Sequence, residues 1–241
     1  MGYELMQRLI NFWGKSFFTE PVLILLFVFC FIVGIFYHYK NKVRIFFLIY
    51  FFSGIILFVP VTVIIACKIL TEKQIAVLQE SANTVFELVE FVAFYFFFQM
   101  CLQNNKLKKI IHLFLYFLIA IIIVFFIKLT LPSYTVYNIR VHSLFINVVE
   151  FFFLFAMCLA YYRELFTDIP IKNLFKRPSF FIVTSTFFYT ILMIPFFLIA
   201  YDVHDAEIAI YDVLFACHYL LLMILLISIS KAFLCKTPIT I

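Results

Sequence analysis

The sequence predicts an all-α, polytopic membrane protein of seven transmembrane helices, with the N-terminus outside and the C-terminus in the cytoplasm. Three observations carry the prediction. Of the 241 residues, 66% are apolar and only 13% charged, and 37 are Phe, whereas soluble domains run at about 45–50% apolar and 25% charged. The apolar residues fall into seven runs, each near the roughly 20 residues needed to cross about 30 Å of hydrocarbon. No ten-residue alternation marks a barrel, so the spans are helices, the form in which a single segment satisfies its own backbone in lipid. A net charge of +5 spread over short loops forms no basic stripe, which excludes a nucleic-acid partner.

Residues 1–20 place Leu5, Leu9, Phe12, Trp13 and Phe17 at helical spacing, as in a short helix lying in the outer interface with Trp13 as anchor. They are no secretory signal, because the start is not positively charged and no small-residue cleavage site follows. The transmembrane domain occupies 21–231, with spans at 22–38, 45–69, 80–103, 110–131, 137–162, 179–201 and 208–230, and 232–241 is a cytoplasmic tail. Twelve of the eighteen Lys and Arg fall in the first, third and fifth loops and the tail, which sets the orientation. The loop 163–178 reads as a rigid basic turn at the headgroups or as a docking loop for a partner protein. Neither it nor the tail is long enough to fold into a catalytic module. The six cysteines occur singly inside apolar runs and read as buried small hydrophobes rather than a metal or disulfide framework.

Charge inside the bilayer is the informative exception. A charged side chain there costs about 2.5–3.5 kcal/mol or more, so it needs a partner, a water-filled cavity or a proton. Glu87 and Glu90 lie in the third span, Glu150 in the fifth and Asp212 early in the seventh. Glu80, Asn83, Glu87 and Glu90 share one helical face, and Arg140, Ser143, Asn147 and Glu150 repeat that spacing 60 residues later. Two facing polar seams bordering an outward-opening cavity are expected. Glu87, Glu90, Asn147 and Glu150 are the candidate ligand or proton site; the alternative is carboxyls that lock neighbouring helices. Arg140 is an interfacial snorkeller, a partner for Glu87 or a contact for an anionic ligand. Pro60 and Pro195, in the similar runs Ile56–Pro60 and Ile191–Pro195, should kink the second and sixth helices and widen the vestibule. The two echoes have different offsets and define no common repeat.

His218 sits near the middle of the last span, as a satisfied core donor or as the imidazole of the site. A metal site of one His and two carboxylates is the weaker reading, because no second His shares that depth. No metal and no other cofactor is expected. A retinal Schiff base is excluded by the lack of Lys between Glu207 and Ser230. A ceramidase-type hydrolase would need several clustered His, and no phosphate loop or nucleophile elbow is present.

Residues 83–91 (NTVFELVEF), the basic Lys106-Leu107-Lys108-Lys109, Glu150, Tyr161-Tyr162, residues 170–180 (PIKNLFKRPSF) and Tyr189 resemble a bacterial family of seven-helix integral membrane proteins. That family is itself similar to the membrane-sensing regions of some histidine kinases. The resemblance runs from the third helix onward and implies a multi-pass bacterial inner-membrane protein, without assigning an activity to any residue. Unlike the kinase-linked versions, the chain ends at Ile241 with no kinase domain, so signalling would pass through a separate cytoplasmic or membrane partner. The expected function is a non-enzymatic, receptor-like sensory module taking a small molecule or lipid. A proton-coupled carrier is the alternative, followed by a structural subunit of a membrane complex.

Overall fold

In the computed structural model, residues 20–36, 43–67, 70–168, 177–202 and 208–234 are described. They form seven helices and no strand: α1 (Glu20–Phe36), α2 (Val43–Ala66), α3 (Glu72–Cys101), α4 (Asn105–Leu129), α5 (Val136–Asp168), α6 (Pro178–Asp202) and α7 (Ile208–Leu234). Six of them are long and apolar enough to cross a membrane. The exception is α1, whose 17 residues rise about 25 Å at roughly 1.5 Å each, short of a 30 Å core. Of the expected interfacial segment 1–20, loop 163–178 and tail 232–241, residues 1–19, 169–176 and 235–241 lie outside the described residues.

Two helices run further than hydropathy indicates. The third starts at Glu72, eight residues before the expected 80, because Thr71 and Gln74 close a capping box. Gln74 N donates to Thr71 Oγ1 at 3.4 Å, and Thr71 N donates to Gln74 Oε1 at 2.9 Å. The fifth continues to Asp168 rather than stopping near 162. Both extensions carry charged residues that a hydropathy window discounts although they are sound helix formers. The α3–α4 connection is only 102–104, and Asn104 caps α4 by accepting from Lys106 N at 2.8 Å.

The packing is a ring with one helix outside it. Going round, α1 meets α2, α2 meets α3, α3 meets α5, α5 meets α6, α6 meets α7, and α7 returns to α1. The odd one is α4, whose principal neighbours are α3 and α5. Lipid supplies no hydrophobic drive between helices, so close packing has to hold them, and here the packing is aromatic. Phe47 of α2 meets Phe94 of α3 edge-on at 5.4 Å and Phe233 of α7 at 5.9 Å, and Phe46 stacks on Phe96 at 3.9 Å. Such pairs contribute about 0.5–1.5 kcal/mol each beyond the area they bury. Gly54 lets α1 close on α2: a Cβ there would stand 2.9 Å from the ring of the buried Phe27.

Pro60 and Pro195 lie within α2 and α6, which continue past them, and both prolines are on exposed faces of their helices. Cys30, Cys101 and Cys158 are buried, but the expectation of burial fails at Cys217, which is exposed, and Cys67 is only half-buried. The periodicity around Cys217 is too uniformly apolar to tell a lipid-facing position from a core one.

Candidate functional site

Because α4 runs back between them, α3 and α5 point the same way, and residues 60 apart in sequence arrive at the same depth. The two polar faces meet rung by rung. Glu80 lies beside Arg140, Ser143 and Asn83, Glu87 beside Asn147, and Glu90 within electrostatic reach of Glu150. Arg140 therefore falls against Glu80, the next acidic residue along the stripe from Glu87. The three deeper carboxyls are buried, with exposures of 9% for Glu87, 4% for Glu90 and 1% for Glu150.

Two tyrosines complete the cluster from the neighbouring ring helices. Tyr50 of α2, fully buried, faces Glu90 without closing a hydrogen bond to it, and Tyr189 of α6 interacts with Glu90, Glu150 and Tyr50. Tyr50 was not singled out from sequence, and Tyr189 only as one of the residues that carry the family resemblance, without a place in the site. Tyr50 stands in an unbroken aromatic and aliphatic run with no polar periodicity, and only the ring topology brings α2 and α6 to the α3–α5 seam. Five buried atoms at this place have no hydrogen-bond partner: Glu87 Oε2, Glu90 Oε1, Glu150 Oε1, Asn147 Oδ1 and the Tyr50 hydroxyl. Native interiors hold few such atoms, and here five are concentrated in one place. Carboxyl groups so close together and away from water need protons or a cationic group to match their charge.

No protein-family model, curated protein or solved structure matches the chain. What the cluster can do has to come from its own atoms.

His218 belongs to α7 and is boxed by aromatic rings, with centroids 6.1 Å from Tyr189, 6.1 Å from Phe196 and 5.9 Å from Phe197. Tyr189, beside His218, is also within electrostatic reach of Glu90 and Glu150. Among the described residues, no three His, Cys, Asp or Glu side chains are grouped so as to hold a metal ion. Asp212 lies on α7, and its side chain is outside the described residues. Pro60 and Pro195 stand on exposed faces, away from the buried carboxyls.

A second polar arrangement closes the 102–104 turn. Glu164, near the end of α5 and 7% exposed, accepts from the backbone N–H of Gln103 through Oε2 and of Asn104 through Oε1, each at 2.8 Å. These donors precede α4 and have no partner within the helix, so the carboxylate ties α5 to the start of α4. Close by, the Tyr95 hydroxyl and His112 Nδ1 are 2.5 Å apart, linking α3 to α4. Glu164 carries no spacing signal, because its partners are backbone groups of a turn 60 residues away.

Proposed function

We propose that the chain is a non-enzymatic, receptor-like membrane module. It crosses a bacterial cytoplasmic membrane seven times with its N-terminus outside, and its ligand or proton site is the polar seam between α3 and α5. The observation that carries this reading is the meeting of Glu87, Glu90 and Glu150 from two parallel helices beside Tyr50, with one oxygen of each left without a hydrogen-bond partner in the bundle interior. A cationic or hydrogen-bond-donating ligand that settles these oxygens binds one arrangement of α3 and α5 better than another, and that difference is what a sensor needs. Because α3, α5, α2 and α6 all contribute, a change at the seam is felt by four of the six ring helices. The signal would leave through a partner at the basic 163–178 loop.

The same seam supports a proton-coupled carrier as the second reading, since intramembrane carboxyls without fixed cationic partners are the groups such carriers load and unload. One pair of variants separates the two. Affinity-purified wild-type protein, denatured and extracted, should release a small molecule that the E90Q/E150Q variant does not retain. An identical small-molecule inventory from both proteins would count against the receptor. Proton uptake into proteoliposomes under an imposed gradient, abolished in E90Q/E150Q, would instead establish the carrier.

A further inference from the structure

Away from the seam, the half of the bundle that holds the 130–135 loop contains a groove of about 660 Å³, within the roughly 300–1,000 Å³ of ligand pockets. Its walls come from three helices: Phe117 and Val124 of α4, Phe145 and Val148 of α5, and Phe197 of α6. The one ionisable side chain in the lining is His142. Phe117, Val124 and Phe145 are exposed on the bundle surface, so in a membrane the groove opens sideways into hydrocarbon.

His142 ties the groove to a fixed cation. Its Nδ1 lies 3.1 Å from the carbonyl oxygen of Asn138, one turn earlier, and Nε2 lies 2.9 Å from Lys128 Nζ. Nδ1–H donating to that carbonyl leaves Nε2 as the acceptor, so Lys128 Nζ donates to it and has further N–H groups to offer. Lys128 is the penultimate residue of α4, in its last turn and beside the 130–135 loop. Beside His142, with ring centroids 5.5 Å apart, Tyr134 is 7% exposed and its hydroxyl has no hydrogen-bond partner.

The geometry points to a binding site for one anionic glycerophospholipid, its acyl chain in the α4–α5–α6 groove and its negative headgroup at Lys128. The charge selects the occupant. A purely apolar partner helix would fill the groove but leave the lysine unmatched, whereas an anionic lipid of the outer leaflet matches both the slot and the cation by direct Coulomb attraction. Phe197, which floors the groove, also stacks on Phe151 at 5.4 Å and meets His218. Occupancy therefore presses on the residue that follows Glu150.

The test is photolabelling of the full chain in phosphatidylcholine vesicles, with a trace of phosphatidylglycerol or phosphatidylcholine carrying a diazirine on one acyl chain, and mapping of the labelled peptides. The phosphatidylglycerol probe should label residues 117–124 and 141–148 about fivefold more than the phosphatidylcholine probe, the preference expected from one lysine near an anionic group. Exposed α2 positions such as Phe52 and Ile56 should not discriminate between probes. Lys128→Gln should remove the preference at the groove and leave α2 labelling unchanged. Equal labelling by the two probes, or label spread evenly between the groove and α2, overturns the proposal on wild-type protein alone. Chain-to-chain cross-links through the groove overturn it in favour of a second copy.

Discussion

Glu164 offers the most direct measurement of how far a single side chain holds the bundle's connections. Its carboxylate accepts two backbone N–H bonds at 2.8 Å from the α3–α4 turn while itself only 7% exposed. Hydrogen bonds to a charged acceptor are worth about 1.5–3 kcal/mol each. Gln103 and Asn104 are exposed, so the freed N–H groups regain water, and Glu164→Ala should cost near the low end, about 2–3 kcal/mol in all. For a chain of this size that corresponds to a drop of roughly 4–12 °C in Tm, read by tryptophan fluorescence or light scattering in detergent. Glu164→Gln is the sharper variant. The two N–H groups are bound by different carboxylate oxygens, so an amide puts its oxygen before one and its N–H₂ before the other, and its loss should approach that of alanine although shape is kept. If both variants melt within about 2 °C of wild type, below the stated range, the carboxylate contributes nothing and the clamp is incidental.

Gly54→Ala should lower stability by about 1–3 kcal/mol, as overpacking does, because the new methyl meets the buried Phe27 ring at 2.9 Å; an unchanged Tm would mean that α1 is free to shift away from α2. Glu90→Gln and Glu150→Gln, measured singly and together, should depart from additivity by about 0.5–3 kcal/mol, since the two carboxyls interact directly. Additivity would show that they do not share a site. A membrane-permeant maleimide should modify Cys217 well before Cys30, Cys101 and Cys158, which are buried; peptide mapping with mass spectrometry reads the order, and early modification of Cys101 would contradict the packing of α3.

The seven helices could be read from sequence because lipid makes apolar run length a direct report of span length. The same property hid what lay inside. With nearly every position apolar, α2, α6 and α7 have no face that distinguishes core from lipid, so Tyr50 and Cys217 looked alike, and Tyr189 stood out only through the family resemblance and not as a neighbour of the carboxyls. The α3 and α5 faces were legible for the opposite reason: polar residues are costly there, and two matching stripes stand out against the background. Even so, the spacing identified the faces without their neighbours: for Arg140 it offered an interfacial position, a pairing with Glu87 or an anionic ligand, and the side chain lies beside Glu80. Capping at Thr71 and the reach of Glu164 depend on backbone donors, which no side-chain pattern advertises.

The ring order also has a consequence for biogenesis. The partner that covers Glu87 and Glu90 is α5, not the helix made next, so ribosomal order and spatial order part company at this point. At about 5–20 residues per second, the 60 residues separating Glu90 from Glu150 take roughly 3–12 s to synthesise. For that interval the nascent third helix waits in or beside the insertion machinery without the α5 face that covers its two acidic side chains, with only Tyr50 of α2 already made. Its retention there, until α5 is delivered, becomes a step that the cell's own insertion apparatus has to manage.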